Sequence, residues 1–151
     1  TIPGAPKPMG RPRFGRGRAY MPKSTIDARN HVQQSIENAV PDLGIVIDGP
    51  ISVELTFIHS RPNRLKAKKH SDGRILKTTR PDLDNLIKLV LDALQLTGII
   101  EDDKQVVRIC ATDYYAARHE EAHTHYQLYT YFDSEYSNPN LPPPHDHPKP
   151  I

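Results

Sequence analysis

Arg80-Pro81-Asp82-Leu83-Asp84-Asn85-Leu86-Ile87-Lys88-Leu89-Val90-Leu91-Asp92-Ala93-Leu94 carries two periodic patterns at once. Leu83, Leu86, Ile87, Val90, Leu91 and Leu94 recur at the spacing of a helical turn and form a broad apolar stripe. The spacing predicts a helix from Pro81 to about Leu96. Pro81 suits the first helical position, where its missing amide hydrogen costs nothing, and Gly98 suits the stop. Asp84, Lys88 and Asp92 stand at i, i+4 and i+8, on one face opposite much of the stripe, with Asp82 at the N-terminal end.

Outward from this helix the periods change. Downstream, Ile99 and Ile100 lead into the acidic turn Glu101-Asp102-Asp103, after which Val106 to Tyr115 reads as a strand. Tyr126 to Phe132 reads as another strand, with His119 to His125 turning between the two. Upstream, Ile51, Val53, Leu55 and Phe57 alternate with Ser52, Glu54 and Thr56, which predicts a strand over 51–59 with one buried face. Between strand and helix, residues 60–79 are polar and basic without apolar periodicity, so a long mobile loop is expected; loops of that length tend to be functional. Ser24 reads as the N-cap of a helix running to about Val40, with Ile26, His31, Val32, Ser35, Ile36 and Ala39 on its loosely apolar face and Pro41 ending it. The Pro- and Gly-rich opening, residues 2–20, should be extended and irregular. This order predicts an α+β fold: one small domain over residues 1–132, a mixed β-sheet with two main helices packed on it. The Pro- and His-rich residues 133–151 form a tail expected to be disordered or loosely docked.

At 151 residues the chain can bury a single sufficient core without a disulfide framework. Its one cysteine, Cys110, excludes a disulfide scaffold or a Cys-based zinc ribbon and fits a soluble protein of the cytoplasm. No apolar run approaches the roughly 20 residues of a membrane span, so no membrane partner is expected. Net charge is only +2, but its distribution is lopsided. Residues 1–23 and 61–80 hold 14 of the 20 basic groups and one acid; the other 108 residues hold six basic groups and 17 acids. A polyanion-binding surface beside an acidic site needs such segregation.

Chemically, two or three carboxylates around one point offer Mg²⁺ the oxygen donors it prefers. Asp82 and Asp84 lie on the helix, whereas Asp102 and Asp103 can join them only by tertiary packing. Equally, Asp82 and Asp84 could simply complement a helix dipole while Lys88 pairs with Asp84 and Asp92 on a solvated face. Other motifs carry less. His119-Glu120-Glu121-Ala122-His123 matches H-E-x-x-H in letters, but that motif needs a helix and this segment lies between strands. Tyr114, Tyr115, Tyr126, Tyr129 and Tyr131 suit either sheet packing or base stacking. His145 and His147 read as tail residues without a site. Phe14, flanked by Arg13 and Arg16, suits either burial or insertion into an opened junction.

The segment from Arg80 to Leu94, with Gly98-Ile99-Ile100-Glu101-Asp102-Asp103-Lys104-Gln105-Val106 after it, resembles the signature of the RusA family of Holliday-junction resolvases. Gly4-Ala5-Pro6-Lys7-Pro8-Met9-Gly10-Arg11-Pro12-Arg13-Phe14 and Tyr20-Met21-Pro22-Lys23 are similar to its N-terminal pattern, and the likeness spans about residues 2–115. The resemblance implies a homodimeric endonuclease that resolves four-way junction DNA with Mg²⁺, for which Mn²⁺ can substitute. It implies Asp82, Asp84 and Asp103 as catalytic, metal-holding carboxylates, Asp102 as their less certain neighbour, and Lys88 as the catalytic lysine. It assigns Arg11, Arg13 and Lys23 to DNA contact. Charge alone adds Arg16 and, in the 60–79 loop, Lys66, Lys68 and Lys69. The rival reading is a non-catalytic protein that binds branched or single-stranded DNA, its acids serving only as helix caps.

Overall fold

The computed structural model describes residues 1–15, 17–40, 46–67 and 69–131. The alternating segment forms β4, Ile51–His59, in the middle of a five-stranded sheet. On one side it pairs in parallel with β6, Val106–Tyr115, and on the other antiparallel with β7, His123–Thr130. Two short strands complete the order β1-β7-β4-β6-β5: β1, Ile2–Pro3, and β5, Ile75–Leu76. The expected α+β layer is what the chain forms. Being flanked on both edges, β4 buries Ser52 and Ile58 as well as Ile51, Val53, Leu55 and Phe57, so burial exceeds the single face that alternation predicts.

Parallel neighbours cannot be joined by a tight turn, and the crossover from β4 to β6 runs through α2, Leu83–Leu96. This helix buries Leu86, Leu89, Val90, Ala93 and Leu94, each large side chain contributing about 1.5–3 kcal/mol relative to exposure. The buried arc is turned toward Leu89 and Ala93 relative to the predicted stripe, of which Leu83, Ile87 and Leu91 are only partly buried, because α2 packs on both the sheet and α1, Lys23–Ala39. Pro81 lies before the helix rather than in it: Asp82 is still extended (φ −75°, ψ 145°), and the Arg80–Pro81 peptide is cis. Gly98 ends α2 in the left-handed region, at φ 74°, as expected.

Several expectations are corrected. Helix α1 begins at Lys23 after Pro22, whose carbonyl accepts from the amides of Thr25 and Ile26, so Ser24 sits inside the first turn and caps nothing. Its buried face is narrower than predicted: Thr25, Val32 and Ile36 are buried, whereas Ile26, His31 and Ala39 are exposed. Strand β7 starts at His123, not Tyr126, because its pairing with β4 extends to Ile58↔His123. The predicted strand end at Phe132, the helix stop at Pro41 and the 133–151 tail lie outside the described residues. The basic opening is not wholly irregular: β2, Arg13–Gly15, and β3, Arg18–Tyr20, form a hairpin.

The 60–79 segment is the largest departure. It contains a 3₁₀ turn, Asn63–Leu65, and β5, and a buried arginine pins it from within. Arg61 donates from Nε to the Ala116 carbonyl at 2.8 Å, from Nη1 to that of Ser71 at 2.7 Å, and from Nη2 to that of Gly73. Arg118 does the same from outside, reaching the carbonyls of Lys66 and Ala67 while pairing with Asp72. Basic residues counted from sequence as loop charge are in part its internal scaffold. Arg61→Ala should therefore speed amide exchange selectively across the described residues of 62–74 while β4 and β6 stay protected; unchanged exchange there would refute the pinning.

Candidate active site

The two helix acids are not consumed by structural work. Asp82 holds the N-cap position of α2 yet makes no side-chain cap bond, and both Asp82 and Asp84 are exposed. Asp84 Oδ1 accepts one long bond from Asn85 Nδ2, at 3.3 Å. Lys88 is exposed one turn on and, among the described residues, pairs with neither Asp84 nor Asp92. Asp82 borders an open groove between the 76–83 segment and Ala111 to Asp113 at the far end of β6.

Asp102 and Asp103 stand at the other end. They flank the start of the 3₁₀ turn Asp103–Gln105, which precedes β6, while the N-terminus of α2 lies beside the end of that strand. A 14-residue helix is about 21 Å long, so within one chain roughly a helix length separates the two acidic pairs. Consistently, no three His, Cys, Asp or Glu side chains converge among the described residues. Asp102 is committed locally: its Oδ1 accepts from the Lys104 amide at 2.9 Å, and Gln105 Oε1 accepts from the Asp102 amide at 3.1 Å, a reciprocal capping box. The Lys104 amide, aided by its ammonium 3.4 Å away, holds the Asp102 carboxyl below its usual range. Gln105 Nε2 donates to the carbonyls of Ile47 and Gly49, which ties this acidic turn to the entry of β4. Asp103 is exposed.

The basic N-terminus meets the acidic helix directly. Met9 N donates to the Asn85 carbonyl at 2.8 Å, so the segment carrying Arg11 and Arg13 is tied to the first turn of α2. Gly10 lets the same segment pass closely over the start of α1, because a Cβ there would stand 2.2 Å from Thr25 Oγ1. Arg11, Arg13 and Lys23 are exposed, and Phe14 is 85% exposed on the hairpin, so it is not buried among the described residues. Lys66 and Lys69 are exposed on the pinned segment; Arg16 and Lys68 lie outside the described residues.

One cluster went unread in the sequence. Beside Asp82, at the ends of β4 and β6, Lys77, Asp113 and His59 are nearly enclosed, with side chains 3%, 7% and 12% exposed. Lys77 Nζ lies 2.9 Å from Asp113 Oδ2, and His59 Nε2 lies 2.9 Å from Asp113 Oδ1, the latter a close approach without hydrogen-bond alignment. The available signal was Asp113 itself: it pairs with Phe57 in a register that puts it on the sheet's apolar face, where a lone carboxylate requires partners.

An α+β layer bearing free paired acids beside a basic hairpin has the make-up of a small nuclease domain. The endodeoxyribonuclease RusA family matches residues 3–123, and the chain belongs to it. It is 30% identical over 125 residues to the uncharacterized protein YqaN of Bacillus subtilis strain 168, covering 77% of this chain and 86% of that protein. It is 31% identical over 107 residues to the crossover junction endodeoxyribonuclease RusA of Escherichia coli K12, covering 71% of this chain and 74% of that one. The Shigella sonnei protein of the same name matches to the same extent.

The buried cluster predicts a pH dependence. Burial above all, with Lys77 adding to it, holds the His59 imidazole below its ordinary value near 6.5, against the opposite pull of Asp113. The unfolded chain then takes up this proton at a higher pH than the folded one, so stability is complete above about 6.5 and falls as the pH drops toward the folded value. Melting temperatures between pH 7.5 and 5 should decline less steeply for His59→Gln than for wild type. Identical slopes would remove His59 as a source.

Proposed function

We propose that the chain is a divalent-metal-dependent endonuclease that resolves four-way DNA junctions as a homodimer. The observation that carries this reading is the first turn of α2: two exposed carboxylates, Asp82 and Asp84, free of capping duty and bonded through Asn85 to a basic segment. A protein that only bound DNA would have Asp82 as a helix cap, and its side chain makes no cap bond. Two hard oxygen donors suit Mg²⁺, which is commonly held by one or two carboxylates plus substrate phosphate, and Mn²⁺ can substitute. When bound, such a cation polarises the phosphodiester and lowers the pKa of a water. Asp82, Asp84 and Asp103 hold it, with Asp102 as the capped neighbour of Asp103. Lys88, one turn from Asp84 and in no ion pair among the described residues, is available to offset charge that develops on the phosphate. Arg11, Arg13, Arg16 and Lys23, with Lys66, Lys68 and Lys69, take the arms by their phosphates, which position the DNA without reading its sequence. Phe14 is available to insert between base steps at the branch point.

A second copy completes the acid set, because one chain keeps Asp103 a helix length from Asp82. The outer edge of β6 is the surface for it. Strand β5 covers only Tyr114 and Tyr115, and Val106 to Thr112 have no strand on that side among the described residues. There Val107 is 58% and Ile109 42% exposed. Asp113 O accepts from Lys77 N on this edge, so by alternation residues 109 and 111 also present backbone groups outward, as far as the register shift between Val106 and Arg108. Antiparallel pairing of two copies of β6 about a two-fold axis near Ile109 sets the Asp103 end of one copy beside the Asp82 end of the other, twice, which suits paired nicks in a nearly two-fold junction.

With end-labelled junction and matched linear duplex, Mg²⁺ should yield symmetrical nicks in the junction alone. Asp84→Asn should lose about a hundredfold or more of that cutting while still binding in EDTA. A junction bound but uncut under Mg²⁺ or Mn²⁺ overturns the nuclease reading. For the assembly, Ile109→Glu should sediment as a folded monomer without cleavage; a variant that remains dimeric and cuts refutes the β6 interface.

A further inference from the structure

Between β5 and α2 the chain crosses from sheet to helix through residues 77–82, none of them in regular structure. Asp82 is the last of these and Asp84 follows two residues on, so the path of this crossing decides where both carboxylates stand. Such segments usually run over the surface with their polar groups in water. This one is held from beneath.

Lys77 Nζ is the holding group. An ammonium has three donors and no acceptor. Here its acceptors are Asp113 Oδ2 at 2.9 Å, the Thr79 carbonyl at 2.7 Å and the Pro81 carbonyl at 3.1 Å. All three donors are used, in a site where the side chain is 3% exposed. The same residue's amide donates to the Asp113 carbonyl at 2.9 Å, so Lys77 is fixed to β6 by backbone and side chain together. Thr79 Oγ1 and Tyr115 Oη, 2.7 Å apart, tie the middle of the crossing to the same strand. The Pro81 carbonyl belongs to the peptide that enters Asp82.

Enclosing a lysine and an aspartate takes two charges out of water, and apolar residues of similar volume often hold a fold as well or better. What apolar residues cannot do is gather two carbonyls of one loop onto a single point of a strand. We propose that Lys77 is a positioning residue: clamped to Asp113, its ammonium sets the path of Thr79 to Pro81 and thereby the placement of the Asp82 and Asp84 carboxylates that hold the divalent cation. This rests on the nuclease reading above. It adds two residues, Lys77 and Asp113, that touch neither metal nor DNA. Because Asp113 neutralises Lys77, the clamp acts through geometry and adds little field of its own.

The test separates clamp from fold. Lys77→Met alone leaves Asp113 as a buried charge, so the informative protein is the full-length double variant Lys77→Met with Asp113→Asn, which removes both charges at similar volume. It should still melt cooperatively as a folded protein, and junction binding in EDTA should be unchanged. Mn²⁺ binding, followed by calorimetry without DNA, should weaken by about tenfold or more, the range typical when a group that orients a metal ligand is lost. Cleavage should recover only at correspondingly raised Mn²⁺. A folded double variant with wild-type Mn²⁺ affinity and metal dependence overturns the clamp. Asp84→Asn, run alongside, distinguishes the failures: if it binds Mn²⁺ as wild type does, the site assignment falls and the proposal with it, whereas loss of binding there with none in the double variant refutes the clamp alone.

Discussion

Because β4 is hydrogen-bonded to β6 along one edge and to β7 along the other, it has no free edge, and almost every other feature follows from covering it. Its parallel partner demands a crossover, the crossover is α2, and α2 must lie on the face where Val53, Leu55 and Phe57 point. Helix α1 then fills the remaining side of that layer, and β1 extends the sheet beyond β7. A strand buried on both edges and on much of both faces tolerates few polar side chains without partners. Ser52 is the small exception, and Glu54 is half-buried with Tyr129 Oη as a donor.

That architecture separates the chemistry into two ends. Since α2 runs back along β6, residues six or seven past its C-terminus and residues at its N-terminus are sent about a helix length apart. Asp103 and Asp82 are therefore near in sequence and far apart in the chain's own fold. At the Asp82 end, a basic segment arrives through the Met9 to Asn85 bond. Lysines and arginines close to exposed carboxylates would ordinarily pair with them; among the described residues none pairs with Asp82 or Asp84, which leaves both sets available to other partners. The basic side chains that are buried or enclosed, Arg61 and Lys77, spend their donors chiefly on backbone carbonyls.

Elements with a strong period were legible. The alternation of Ile51 to Phe57 and the stripe from Leu83 to Leu94 both became the elements they announced, because their periodic burial and their tertiary contacts agree. Ends were less legible. Pro81 is a good first helical residue by local rule, yet a carbonyl bond to Lys77 and extended dihedrals at Asp82 keep it outside. His123 looked like turn, but a partner strand reaching as far as Ile58 recruits it into β7. Residues 60–79 have no period at all, so their order could not be seen locally; it comes from Arg61 and Arg118, whose acceptors are scattered over 50 residues of chain.

The order of elements, the segregation of charge, and the acids at 82, 84, 102 and 103 are properties of the sequence by itself, since periodicity and residue type depend only on near neighbours. Which acids are spent and which are free was decided by tertiary structure. Asp82 occupies a cap position without capping, Asp102 caps without having been chosen for it, and Asp113, an unremarked residue in a strand, becomes the anchor of Lys77. A side chain's role depends on what the fold brings within about 3 Å of it. That distance is set by the packing of strands and helices far apart in sequence, and no local pattern encodes it.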